Sequence, residues 1–219
     1  MEEPKRIQYS SDNPVLNNPY LEPKFHYDTD VDGNVDYSTI INGRRPYGYD
    51  ISIVPQKAKL VKALFRQEDF SSTNPNSDFI NGIRKEVKSW RTAGYPKASR
   101  ITKELLDFWF CNSQRLPQQR LFFCQQEAVE TAVWLNEIAD KDANMGNFYL
   151  RELQDRRHTV SNDDDDILPR TAFKMATGTG KTVVMAMLIL YHYLNKKANP
   201  MDTRYADHFL ICAPGITIR

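Results

Sequence analysis

The sequence predicts an α/β chain: the start of a parallel-sheet domain, preceded by a mainly helical α+β region. Three observations predict it. Residues 171–213 read as strand, glycine-rich turn, helix and strand, an order that implies a parallel sheet with a right-handed crossover. Three stretches between Ser77 and Ile138 carry apolar residues at helical spacing. Phe25 to Ile41 has the pattern of a β-hairpin around Asp32-Gly33, a strong tight-turn signal.

Composition narrows the class. A chain of 219 residues with 41% apolar and 26% charged residues is that of an ordinary globular protein, long enough to bury a core. The formal net charge of +1 gives no overall attraction to nucleic acid or membrane. Cys111, Cys124 and Cys212 are far apart and odd in number, with no Cys-x-x-Cys or Cys/His cluster. That argues against a full disulfide set and structural zinc, and fits buried small apolar residues in a reducing cytosol. No apolar stretch follows the first residues, so no secretory signal is expected. Val183 to Leu194 is too short to span a bilayer and contains His192, so a cytoplasmic protein without membrane contact is expected.

Taken in order, residues 1 to about 24 are rich in Asn, Pro and Ser and predict an extended or poorly ordered arm. The hairpin follows, then a short strand Ile51–Val54 ended by Pro55. A helix over Gln56–Gln67 rests on Leu60, Val61, Leu64 and Phe65. From Ser77 to Ala93 a clearer helix carries Ile80, Ile83, Val87 and Trp90 on one face, capped by Ser77 or Asp78 and stopped by Gly94 and Pro96. Ser99 caps a third, with Ile101, Leu105, Leu106 and Trp109 inward. Pro117 marks a break, so residues 1–115 form an accessory region and 116–219 begin a second domain. A fourth helix, Phe122 to Ile138, turns Ala128, Val129, Ala132, Val133 and Leu135 inward. From Ala139 to Leu168 the chain is polar and includes Asp163-Asp164-Asp165-Asp166. It reads as a solvated mobile loop in preference to a metal site. Thr171–Met175 and His208–Ala213 are the two strands, and Lys181–Asn195 is apolar nearly all round through Leu190, hence a buried helix.

The chemistry lies in Thr177-Gly178-Thr179-Gly180-Lys181-Thr182. A polyphosphate needs many hydrogen bonds to its charged oxygens. A strand turning sharply into a helix offers backbone N–H groups and the positive end of the helix dipole. Gly178 and Gly180 allow close approach, Lys181 supplies a charge for the outer phosphates, and the Thr182 hydroxyl is placed for Mg²⁺. Met175 stands where the usual pattern has Gly or Ala. The strand before, the helix after and the returning strand supply the context the motif requires.

Met175 to Thr182 resembles motif I of superfamily 2 helicases and translocases. Gln125-Gln126-Glu127-Ala128 resembles the Q-x-E-A element that precedes it, and Ala213-Pro214-Gly215-Ile216-Thr217-Ile218-Arg219 is similar to motif Ia of type III restriction enzyme Res subunits. Between Arg120 and Arg219 the chain thus resembles the N-terminal part of a type III restriction endonuclease Res-like protein. Gly43-Arg44-Arg45-Pro46 and Val87-Lys88-Ser89-Trp90-Arg91 are weaker likenesses in the first part. The resemblance implies a RecA-like ATP-binding domain using ATP and Mg²⁺, with duplex DNA and a methyltransferase (modification) subunit as partners. It implies that Gln125 contacts the adenine edge, with Gln126 beside it leaving the register open. Thr217 and Arg219 would lie along the DNA backbone. Gly215 departs from the Thr often found after that proline. The acidic motif that positions water, and the nuclease carboxylates, come later in this family, so a truncated chain with weak nucleotide binding and no turnover is expected.

Two other functional classes compete. A different P-loop phosphotransferase would share the glycine loop but not the Gln125 and Pro214 elements. A non-catalytic module would use residues 1–115 to bind DNA or a partner. Asp28, Asp30, Asp32, Gly33, Asn34 and Asp36 match the start of an EF-hand loop, but Thr39 takes the place of the bidentate Glu and the flanks are strand-like. An acidic hairpin is the better reading. His26, His158, His192 and His208 are scattered, and Trp90, Trp109 and Trp134 sit at core spacing, so both sets read as structural.

Overall fold

A computed structural model of the protein describes residues 16–29, 35–47, 75–112, 116, 119–141, 145–160 and 171–212. The expected strand 51–54, the helix 56–67, the Asp32-Gly33 turn, the acidic run 163–166 and the segment 213–219 lie outside the described residues.

Strands β1 (Phe25–Thr29) and β2 (Val35–Asn42) pair antiparallel, with Phe25 opposite Asn42 and Thr29 opposite Val35. The register shifts after Tyr27, which pairs with Ile40 while Asp28 pairs with Asp36. Asp36 explains the bulge: its Oδ1 accepts from the Ser38 backbone N–H at 2.9 Å and hydroxyl at 2.6 Å, turning the strand locally away from its ladder. The Tyr27 and Tyr37 rings pack edge-on at 5.1 Å.

Helix α1 spans Pro75–Thr92, starting before the expected Ser77 or Asp78 cap, because proline suits a first helical turn whose N–H has no partner. It ends as the sequence predicts. Gly94 at φ 76° lets its own N–H reach Arg91 and the Tyr95 N–H reach the Trp90 carbonyl, both at 3.0 Å, and the Trp90 and Tyr95 rings meet at 4.8 Å. These are the bonds and the apolar contact of a Schellman termination. Helix α2 (Arg100–Leu106) continues into a π-helical turn, Asp107–Cys111. Its cap is Ser99, whose hydroxyl accepts from the Thr102 N–H at 3.0 Å. Helix α3 (Phe123–Val133) runs on through a π turn, Trp134–Ile138, and a 3₁₀ turn, Ala139–Lys141.

Four sequence expectations need correction. Residues 139–168 are not all loop: Met145–Val160 form a helix, α4. Met145, Phe148, Tyr149 and Leu153 recur at helical spacing within a polar composition, and Tyr149, buried, packs edge-on against Phe79 and Trp134. Helix α5 (Lys181–Ala198) is not covered all round. Val184, Met187, Tyr191 and Asn195 form one buried stripe against α2 and α3, while Val183, Met185, Leu190 and Tyr193 are exposed. The flanking segments 171–176 and 208–212 run without strand pairing, with Leu210 90% exposed. A strand acquires its hydrogen bonds from neighbours, and the described residues supply none beside these two. The two-stranded antiparallel sheet is therefore the one sheet among the described residues. Lastly, Cys111, Cys124 and Cys212 are exposed free thiols rather than core residues.

One core joins both halves of the sequence. Phe79, Ile83, Val87, Trp90, Leu106 and Trp109 share it with Val129, Val133, Trp134, Tyr149, Met187 and Tyr191. The three tryptophans pack in it, as their spacing predicts. At its edge a buried polar cluster fixes the C-terminal half of α5. Glu137 accepts from the Ser99 N–H, the Thr102 hydroxyl at 2.7 Å and the Tyr191 hydroxyl at 3.3 Å. Asn195 accepts from the Ser99 hydroxyl at 2.6 Å and donates to Thr102 Oγ1 at 3.1 Å. A buried carboxylate and a buried amide are tolerated here because their hydrogen-bonding groups are matched. Burial also holds the Tyr191 hydroxyl well above the usual phenol range and the His192 ring below the usual imidazole range.

Candidate phosphate-binding loop

The glycine loop leads directly into α5. Gly178 and Gly180 both take the left-handed conformation, at φ 76°, which glycine adopts without the steric cost of a Cβ. The two glycines answer different needs. A Cβ on Gly178 would face open space, whereas one on Gly180 would collide with Nε2 of Gln125. Gly178 keeps a face of the turn clear, and Gly180 admits a neighbouring side chain.

Gly180 is the N-cap of α5, and its carbonyl accepts the first helical bonds, from Val183 N–H at 3.0 Å and Val184 N–H at 3.3 Å. The amides of Lys181 and Thr182 lie ahead of those bonds, where a helix has no internal acceptor for them. No acidic side chain occupies the first turn, so the positive end of the helix dipole is not offset there. Lys181 and Thr182 are both exposed.

The loop is drawn together by one carbonyl. Ala176 accepts from the Thr179 hydroxyl at 2.7 Å and from Lys181 Nζ at 2.8 Å. The ammonium thus folds back over the turn instead of extending away from it. It has three protons and uses one on this contact. The cluster of first-turn amides, one ammonium and one hydroxyl is the donor set that an anion rich in oxygen acceptors requires.

Gln125 lies in the first turn of α3 and is 4% exposed. Its Oε1 accepts from the Phe122 N–H at 2.8 Å, and its Nε2 donates to the Gly180 carbonyl at 3.3 Å. Of the two neighbouring glutamines, Gln125 reaches the loop. Gln126 turns away and donates to Glu130 Oε1 at 2.8 Å. Thr217 and Arg219, expected along DNA, lie outside the described residues.

Sequence reasoning passed over the charged lattice on the other side of α3. Arg44 pairs with Glu127 through both terminal nitrogens. Arg91 Nε donates to Glu130 Oε2 at 2.7 Å, and the Tyr95 hydroxyl to Oε1 at 2.7 Å. Both guanidinium groups lie over the Phe123 ring, at 5.8 Å for Arg44 and 5.1 Å for Arg91, within cation–π range. Burial, then the neighbouring Glu130 charge, hold the Tyr95 hydroxyl well above the usual phenol range. Burial is the largest influence on Arg91 and opposes its charge, but the hydrogen bond to Glu130 and the attraction of the Glu130 charge together outweigh it and raise the pKa. A signal was present: Glu127 and Glu130 are three apart on a helix whose other residues are largely apolar, a spacing that puts both on one face. The lattice ties the hairpin's exit and α1 to the helix that carries Gln125.

No helix among the described residues is long and apolar enough to cross a membrane. Comparison with known proteins gives one result. Residues 118–219, a little under half of the chain, match the family described as type III restriction enzyme, res subunit. No curated protein and no solved structure matches the chain.

Proposed function

We propose, from the Res-subunit domain at residues 118–219, that this chain is the front of an ATP-dependent DNA translocase or helicase of a type III-like restriction endonuclease. The observation that carries the reading is the left-handed glycine turn that ends at Gly180 and delivers Lys181 and Thr182 into the open first turn of α5. In this reading the amides from Thr177 to Thr182 and the Lys181 ammonium hold the phosphates of ATP, and the Thr182 hydroxyl ligates Mg²⁺. Gln125 belongs to the same nucleotide site. Thr217 and Arg219 follow the backbone of duplex DNA, and a modification methyltransferase is the protein partner, in the cytoplasm.

Two structural expectations belong to the same proposal. In the complete protein, segments 171–176 and 208–212 enter a parallel RecA-like sheet that covers Phe173, Phe209, Leu210 and Ile211, all exposed here. The division near residue 116 separates functions, with an accessory region before it, although one core spans it. These 219 residues contain no Asp-Glu pair, the usual means of holding Mg²⁺ and water for hydrolysis, so nucleotide binding without turnover is expected of them alone.

The test is the ATPase activity of the complete protein. Hydrolysis that requires Mg²⁺, rises with duplex DNA and falls sharply in Thr182→Ala supports the reading. A complete protein that transfers phosphate to a small acceptor and ignores DNA would place it among other P-loop phosphotransferases.

A further inference from the structure

We propose that Gln125 is a positioning residue of the phosphate loop: through Nε2 it holds the Gly180 carbonyl and so fixes where the loop becomes α5. The proposal rests on the nucleotide reading above and departs from a purely base-reading role for this side chain.

The amide has one orientation that satisfies both neighbours. Oε1 faces the Phe122 N–H at 2.8 Å, so the NH₂ group faces the Gly180 carbonyl at 3.3 Å. Reversal would set donor against donor and carbonyl against carbonyl, an uncompensated loss for a side chain 4% exposed. The anchor is itself fixed. The Phe123 N–H donates to the Pro19 carbonyl at 2.9 Å, and the Phe122 ring stacks on Tyr20 at 5.3 Å. Arg120 lies over that same Tyr20 ring at 4.9 Å.

At the other end, the Gly180 carbonyl is the acceptor from which α5 starts. Its direction sets the peptide planes that follow, and therefore where the Lys181 and Thr182 amides point. Gly180 lacks a Cβ at the one place where Nε2 approaches. The neighbouring Gln126 cannot substitute, because its amide is engaged by Glu130. A side chain that aims backbone donors acts on every ligand carrying the phosphates, whatever base it bears.

The test uses Gln125→Glu in the 219-residue chain. The replacement is nearly isosteric. It keeps an acceptor for the Phe122 N–H and sets a carboxylate oxygen against the Gly180 carbonyl. Two measurements are made on wild type and variant. Without ligand, amide hydrogen exchange at Lys181 to Val184 is expected to quicken in the variant. With Mg²⁺, calorimetric titration with ATP, GTP and inorganic tripolyphosphate is expected to show all three weakened by one common factor, about tenfold, as for one lost hydrogen bond to a buried group. Loss confined to ATP, with tripolyphosphate unchanged, overturns the proposal and makes Gln125 a reader of adenine. Unchanged exchange at Lys181 to Val184 overturns it also. A wild-type chain that binds none of the three ligands defeats the nucleotide reading, and the phosphate role with it. The exchange arm then still reports whether Gln125 holds the loop.

Discussion

Lys181→Ala is expected to abolish ATP hydrolysis in the complete protein, a fall of at least about a hundredfold in turnover, while leaving the fold intact. The two halves of that expectation have separate physical causes. The ammonium is the one side-chain cation that the described structure folds over the turn, at 2.8 Å from the Ala176 carbonyl. In the nucleotide reading it moves from that carbonyl to the outer phosphates, where charge builds as the bond breaks. Its contribution to stability is small, because the side chain is exposed and the Thr179 hydroxyl still bonds Ala176 at 2.7 Å. Exposed substitutions of this kind stay within about 0.5 kcal/mol. Steady-state hydrolysis beside a urea melt measures both. Unchanged turnover, or a variant that fails to fold, contradicts the assignment.

Glu130→Ala has the largest expected effect on stability, a loss of about 3–5 kcal/mol. The carboxylate has 0% exposure and meets Arg91, the Tyr95 hydroxyl and the Gln126 amide. Removing it leaves a half-buried guanidinium and a buried hydroxyl without their acceptor, besides a void beside α3. The cost is the desolvation of the groups left behind rather than the net worth of the pair. Chemical denaturation of wild type and variant measures it, with Glu130→Gln as the control that keeps the volume and an acceptor for Tyr95. A loss under about 1 kcal/mol in Glu130→Ala shows that water reaches the pair and that it does not fasten α1 to α3.

How far the chain can be read without coordinates depends on the range of the forces involved. Local signals carried through. Ser99 caps its helix and Gly94 ends α1. Each of these is decided within about one helical turn, by backbone sterics and short hydrogen bonds. The stripe Ile83, Val87, Trp90 is buried as its spacing predicts. Helix α4 is not legible in the sequence because its polar residues outnumber the apolar few that dock. Tyr149 decides its place, and the partners Phe79 and Trp134 are distant in sequence. The same limit applies to the site. Gln125 could be singled out from its neighbourhood in the sequence, but its contact with Gly180 spans 55 residues. The choice between Gln125 and Gln126 depends on the Phe122 N–H, which engages Gln125, and on the Glu130 carboxylate, which engages Gln126. Strand pairing at 171–176 and 208–212 is not present among the described residues, because a βαβ pattern specifies what the segments can pair with and not that the pairs are present.

The central claim is that the turn from Thr177 to Thr182 binds the polyphosphate of a nucleotide. The most direct measurement is an amide-resolved NMR titration of the 219-residue chain with ATP and Mg²⁺, repeated with Lys181→Ala. The account predicts saturable shifts centred on the amides of Gly178, Gly180, Lys181 and Thr182, reproduced by inorganic tripolyphosphate and lost in the variant. Shifts that leave those four amides unmoved at saturating ATP, or that persist in Lys181→Ala, contradict it.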